Sequence, residues 1–157
     1  MLKRMALALA AILVTTAAAQ AQCPQLKSSR ALFALNEGFT PDPLRLPVTA
    51  GGNLDINRCS GVPGKGWVAA LPDFSAMYRT KSGGPSGETL IFTTNSDVDT
   101  ILLINDPSGR WHWDDDSGSG LNGKISFRYA LPGRYDIWVG TFDRGLRKVQ
   151  LIITELQ

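Results

Sequence analysis

Six carboxylates fall between Asp97 and Asp116: Asp97, Asp99, Asp106, Asp114, Asp115 and Asp116. Only Arg110 opposes them, so this segment carries a local charge of −5. Adjacent carboxylates repel one another, and gathering them costs stability unless water or a cation screens them. Hard cations such as Ca²⁺ collect about six to eight oxygen ligands from carboxylates, carbonyls and water. The candidate calcium ligands are therefore Asp114, Asp115 and Asp116, with Asp99 and Asp106 as neighbours, and calcium is the one cofactor to expect. The spacing matches no stringent motif: an EF-hand counted from Asp115 reaches Ser126 where a bidentate Glu is required. The run from Asp114 to Gly120 is equally the composition of a solvated turn, and the sequence leaves both readings open.

Hydrolytic chemistry has little to work with. His112 is the only histidine, so any histidine-based acid/base scheme must use it. Ser117 is five residues away on the same strand-turn unit, whereas the members of a triad come from separate elements. Its neighbours Asp115 and Ser119 stand where the nucleophile segment of a chymotrypsin-like peptidase has glycines. Three adjacent Asp on one turn do not make a pair of carboxylates facing each other across a cleft, as glycoside hydrolysis requires. Gly61 to Gly66 includes Lys65 but lacks the spacing of a phosphate-cradling loop. The chain is expected not to be an enzyme, and His112 reads as a partly exposed ring on an outer sheet face.

Aromatic residues suggest binding instead. Alternation in Tyr135 to Val139 places Tyr135, Ile137 and Val139 on one face and Asp136 with Trp138 on the other. Trp138 beside a polar residue is the contact candidate, for a protein or polysaccharide partner. Trp111, Trp113, Phe127 and Tyr135 read as core.

The elements that must position these groups are strands. Alternation is clean in 125–129, 135–139 and 149–153, with shorter candidates at 44–48, 66–71, 74–79, 90–94, 100–105 and 110–113. These make about nine strands, punctuated by Asp106-Pro107-Ser108-Gly109, Leu131-Pro132-Gly133 and Asp143-Arg144-Gly145. No stretch after the first 21 residues shows a helical period. The pattern predicts an all-β, antiparallel β-sandwich of jelly-roll type.

Residues 1–21 read as a secretory signal: Lys3 and Arg4, an apolar run from Met5 to Val14, then Ala19-Gln20-Ala21. The apolar run is too short for a spanning helix, which needs roughly 20 residues, so the protein is expected to be periplasmic or secreted and not membrane-spanning. Cleavage after Ala21 leaves 136 of the 157 residues with 14 basic and 14 acidic side chains. Net neutrality argues against a nucleic-acid partner, whose phosphates need a positive patch. Gln22 stands where a lipoprotein signal wants a small residue, which disfavours anchoring at Cys23. Two cysteines in an exported chain read as one disulfide, Cys23 to Cys59. It would pin an N-terminal segment, 22–37, to a sandwich domain, 38–157.

The runs 99–109, 114–118, 120–122 and 132–141, together with Trp111, resemble the bacterial pre-peptidase C-terminal domain family. The closer resemblance is to small exported proteins that carry this module alone and are labelled chymotrypsin-like peptidases while lacking the triad. Gly38 to Pro43 and Ala50-Gly51-Gly52 extend the match to roughly residues 38–156. The resemblance implies a jelly-roll-like sandwich accessory to secreted peptidases, with calcium-dependent collagen-binding modules among its relatives. Only Asp114 to Asp116 match an acidic cation loop. Trp113 stands where the close relatives tend to have Cys, so on the resemblance Cys59 pairs with Cys23 or stays free. The expectation is a non-catalytic exported binding or accessory module, stabilised by calcium if that loop is a site. The alternatives are a degenerate peptidase-associated protein with residual hydrolase activity, and a structural subunit of an envelope assembly.

Overall fold

The computed structural model describes residues 23–27, 29 and 31–156; the signal read at 1–21 lies outside the described residues. Among the described residues are eleven strands and no α-helix: β1 (Leu32–Asn36), β2 (Leu44–Gly51), β3 (Leu54–Asp55), β4 (Trp67–Val68), β5 (Phe74–Arg79), β6 (Thr89–Asn95), β7 (Thr100–Asn105), β8 (Trp111–Asp114), β9 (Lys124–Arg128), β10 (Gly133–Thr141) and β11 (Leu146–Thr154). A 3-10 turn, Ile56–Arg58, follows β3, and the side chain of Asp55 accepts from the Asn57 N–H at its start. None of these elements is a helix long and apolar enough to cross a membrane.

Two sheets form a β-sandwich. One runs β2-β11-β6-β9; the other runs β1-β5-β10, and β10 also pairs with β7, which carries β8, and with β4, which carries β3. All pairings are antiparallel except β1 with β5, which is parallel. Two of these strands exceed the nine expected. β1 falls inside the segment read as an N-terminal tether, so the sheet begins before residue 38. β3 is only two residues long, too short to carry a periodic signal.

The inner faces of the sheets meet around Tyr78, Phe92, Leu102, Ile104, Tyr135, Ile137, Val139 and Leu151, all essentially inaccessible. The outer face of the larger sheet is also dry. Leu54, Ile56, Val68, Ile101, Leu103 and Trp138 form a second cluster there, with Trp111 and Trp113 packed against it. The sequence signal for two dry faces is the unbroken run Ile101-Leu102-Leu103-Ile104, because a strand covered on both sides loses its alternation. This outer core is roofed by irregular chain. Cys23 is bonded to Cys59 with Cα atoms 5.6 Å apart, and the Gln25 N–H donates to the Ala70 carbonyl at 2.8 Å. Gly64 lies against the Trp113 indole with φ of +85°; a Cβ there would approach the ring to 2.1 Å, so only glycine lets the loop close.

Between Ile137, opposite the first residue of β5, and Thr141, opposite the first residue of β4, β10 has a gap in its ladder on that edge. Asp73 fills it: its carboxylate accepts the Val139 N–H at 2.8 Å. Burial pushes this carboxyl up to about 7 against the downward pull of that hydrogen bond.

Candidate functional site

The five carboxylates selected as calcium ligands do not act as one group. Asp106, 5% exposed, organises the β7–β8 turn. One of its oxygens accepts from the Ser108 N–H at 2.8 Å, the Arg110 N–H at 3.1 Å and the Ser108 hydroxyl. The other faces His112 Nε2 at 2.8 Å and Arg110 Nε at 3.4 Å. Burial alone would raise its pKa, but the bonds from Ser108, His112 and Arg110 outweigh it and hold the group at about 2. Asp114 is likewise committed within the protein. It accepts from the Ser117 N–H at 3.0 Å, the Ser117 hydroxyl at 2.6 Å and the Lys124 N–H at 2.7 Å, tying the acidic loop to the start of β9.

Asp99, Asp115 and Asp116 form a separate corner that Asp143 joins. Burial first, and then the charges of Asp116, Asp115 and Asp143, raise the Asp99 carboxyl above its usual range. Burial and the neighbouring Asp116 and Asp114 raise Asp115 in the same way. The Asp99 Oδ1 atom is buried with no hydrogen-bond partner. The residue borders a cavity of about 260 Å³ that Val98, Thr141, Asp143 and Arg147 also line. Among the described residues, no three His, Cys, Asp or Glu are placed to hold a single metal ion. The sequence run therefore resolves into two structural carboxylates and one strained acidic corner.

His112 and Ser117 do not meet as a catalytic pair. The Ser117 hydroxyl belongs to Asp114 and the imidazole to Asp106. The ring also packs edge-on against Phe127 of the opposite sheet, with centroids 4.8 Å apart. This corrects its expected place on an outer face. Trp111 and Trp113 take the outer side of β8, so alternation turns His112 inward, to the rim of the space between the sheets.

Trp138 is a second correction. Alternation does place it opposite Ile137 and Val139, but it is 0% exposed in the outer cluster, with Trp111 at 5.2 Å between ring centroids. A residue sealed there offers no stacking platform to a ligand. Its Nε1 is buried without a hydrogen-bond partner.

An open apolar cavity lies elsewhere, where β1 and β2 border one side of the sandwich. It measures about 740 Å³ and is walled by Phe33, Phe39, Leu44, Leu46 and Phe74. Leu32 on its rim is 55% exposed. Sequence reading missed it because its walls come from both sheets; the available signal was the apolar run Ala31 to Leu35.

No protein-family model matches the chain, and no curated protein matches it by sequence. A solved structure is similar: the pre-peptidase C-terminal domain of a collagenase from Bacillus anthracis, 10% identical, covering 82% of this chain and 97% of that one, with a TM-score of 0.39. That distance carries no ligand or role across. The sandwich stands on this chain's own strand pairing.

Proposed function

We propose that this protein is an exported, non-catalytic binding or accessory module acting in the periplasm or outside the cell. The observation that carries the reading is the separate commitment of its only histidine and of Ser117 to different carboxylates, Asp106 and Asp114. A general base must reach the proton that it removes, and here imidazole and hydroxyl each serve a turn. The signal-like residues 1–21 and the cystine support export, since disulfides persist in oxidising compartments. With Trp138 sealed in the core, a protein partner is favoured over a polysaccharide. A serine-reactive fluorophosphonate probe tests the reading on the disulfide-bonded mature chain. Ser117 is expected to stay unlabelled, and its labelling would replace the binding module with a hydrolase.

Calcium stabilisation is a second reading, favoured by the buried Asp99 oxygen without a hydrogen-bond partner and by the charges of Asp116, Asp115 and Asp143 that act on that carboxyl. In it, Asp99 with Asp115 or Asp116 supplies carboxylate oxygens, and carbonyls and water make up the rest of the shell, since no three acidic side chains gather around one point among the described residues. Asp106 and Asp114 take no part, because their oxygens hold turns together.

A further inference from the structure

We propose that the groove between β1 and β2 takes an extended, uncharged peptide segment of a partner protein, added as a strand along the free edge of β1. The inference rests on the binding-module reading and gives it a site and a partner chemistry.

Among the described residues, β1 ends its sheet and pairs on one side only, with β5. The Ala31 carbonyl accepts the Ser75 N–H at 3.2 Å, and the Glu37 N–H donates to the Arg79 carbonyl at 2.8 Å. Backbone groups along a strand alternate in direction, so residues 31, 33, 35 and 37 face β5. The N–H and C=O groups of Leu32, Ala34 and Asn36 then point outward, a row of three donors and three acceptors at an open edge.

The other edges are defended. β2 carries Arg45 and Pro47, β9 carries Lys124 and Arg128, β8 carries His112 and Asp114, and β3 is two residues ending in Asp55. Charge, proline and brevity are the ordinary means of keeping an edge strand from pairing. β1, Leu-Phe-Ala-Leu-Asn, has none of them beyond its modest length.

The groove beside it selects the occupant. Among the described residues, none lining it is ionisable, so a charged ligand would lose its hydration with no counter-charge in return. A glycan would bring many hydroxyls to walls of Phe33, Phe39, Leu44, Leu46 and Phe74. An acyl chain would suit the walls but leave the β1 amides unpaired. An extended peptide satisfies both: its backbone continues the sheet, and alternate apolar side chains enter the groove. β1 is about 17 Å long at roughly 3.3 Å per residue, which fits a segment of about five residues. β2 forms the second wall, so a lone segment enters where a second copy of β1, flanked by its own β2, meets an obstruction.

The test pans a displayed library of random octapeptides on the mature, disulfide-bonded protein. Enriched sequences are expected to be uncharged, with apolar residues at alternate positions. A synthetic peptide made from the strongest of them should slow amide exchange at Leu32, Ala34 and Asn36. It should bind at least tenfold more weakly to Ala34→Pro, which removes an outward N–H, and to Leu46→Arg, which places a charge on the wall. Thermal melts report whether each variant is folded, and the exchange measurement on the unaltered protein stands independently of both. No enrichment, or peptides that leave those three amides unprotected, overturns the proposal. If such peptides bind both folded variants normally, the binding-module reading survives and this site does not; Ser117 labelling is what removes the reading itself. Dimerisation lost in Ala34→Pro assigns the edge to a second copy and also overturns the proposal.

Discussion

The two faces of the larger sheet are equally dry and differently made. On the inner face, strands of the opposite sheet cover Tyr135, Ile137 and Val139. On the outer face, Trp138, Ile101 and Leu103 pack with Ile56 of the 3-10 turn and Val62 of the loop after it, a region that a glycine-dependent turn and the Cys23–Cys59 bond hold in place. The inner core is closed by periodic structure and the outer by irregular chain fastened covalently. Alternation along a strand thus says which face a side chain occupies; what lies over that face is a separate matter.

The strongest way to break the contrast is Trp138→Ala. If the outer cluster is a true core, it should lose about 3–5 kcal/mol of unfolding free energy, as large aromatic truncations do, measured by urea denaturation. A loss below about 1 kcal/mol would reduce the cluster to a surface pocket. Next in size is removal of the disulfide by the paired substitutions Cys23→Ser and Cys59→Ser. The bond closes a sequence separation of 36 residues, and its loss should cost about 2–4 kcal/mol. The contrast sharpens if native-state hydrogen exchange then accelerates at Ile56 and Val68 while Leu90 and Phe92 keep their protection.

Asp73 stands at the seam between the cores, bonded to Val139 beside Trp138, and it makes the seam sensitive to pH. Its folded pKa of about 7 lies above the usual 3.8, so the folded state binds the proton more tightly than the unfolded chain. Its contribution is fully present below the unfolded value and is lost as pH rises through the folded one. Melting temperature should therefore fall between about pH 4 and pH 7. Asp73→Asn, which keeps an oxygen acceptor without the charge, should flatten that fall; an unchanged slope would clear Asp73 of the role. The smallest effect expected is at the acidic corner. Millimolar Ca²⁺ should raise the melting temperature by a few degrees over EDTA, and Asp99→Asn should abolish the rise. Equal melting in EDTA and Ca²⁺ ends the calcium reading.

Much of the sheet framework was legible. Phe74–Arg79 and Thr100–Asn105 have the bounds that alternation and apolar runs predict, and the other seven expected strands are present with ends moved by a few residues. β1 escaped notice because an apolar run after a polar stretch carries no alternation, and β3 because its two residues are strand only through pairing with Val68 and Trp67. The acidic run was legible as a concentration of charge. Its division was not, because Asp106 and Asp114 are engaged by backbone N–H groups that turns bring to them.

Residue types and short spacings are enough to fix the all-β class, the strand periodicity, the net neutrality of the chain after residue 21 and the −5 segment. The packing of the folded chain is what seals Trp138 in a second core, divides the acidic run between turns and one crowded corner, and sets β1 beside an apolar groove with its edge open among the described residues. Each depends on segments far apart in sequence being brought together, and no local pattern encodes which of them arrives or what it covers.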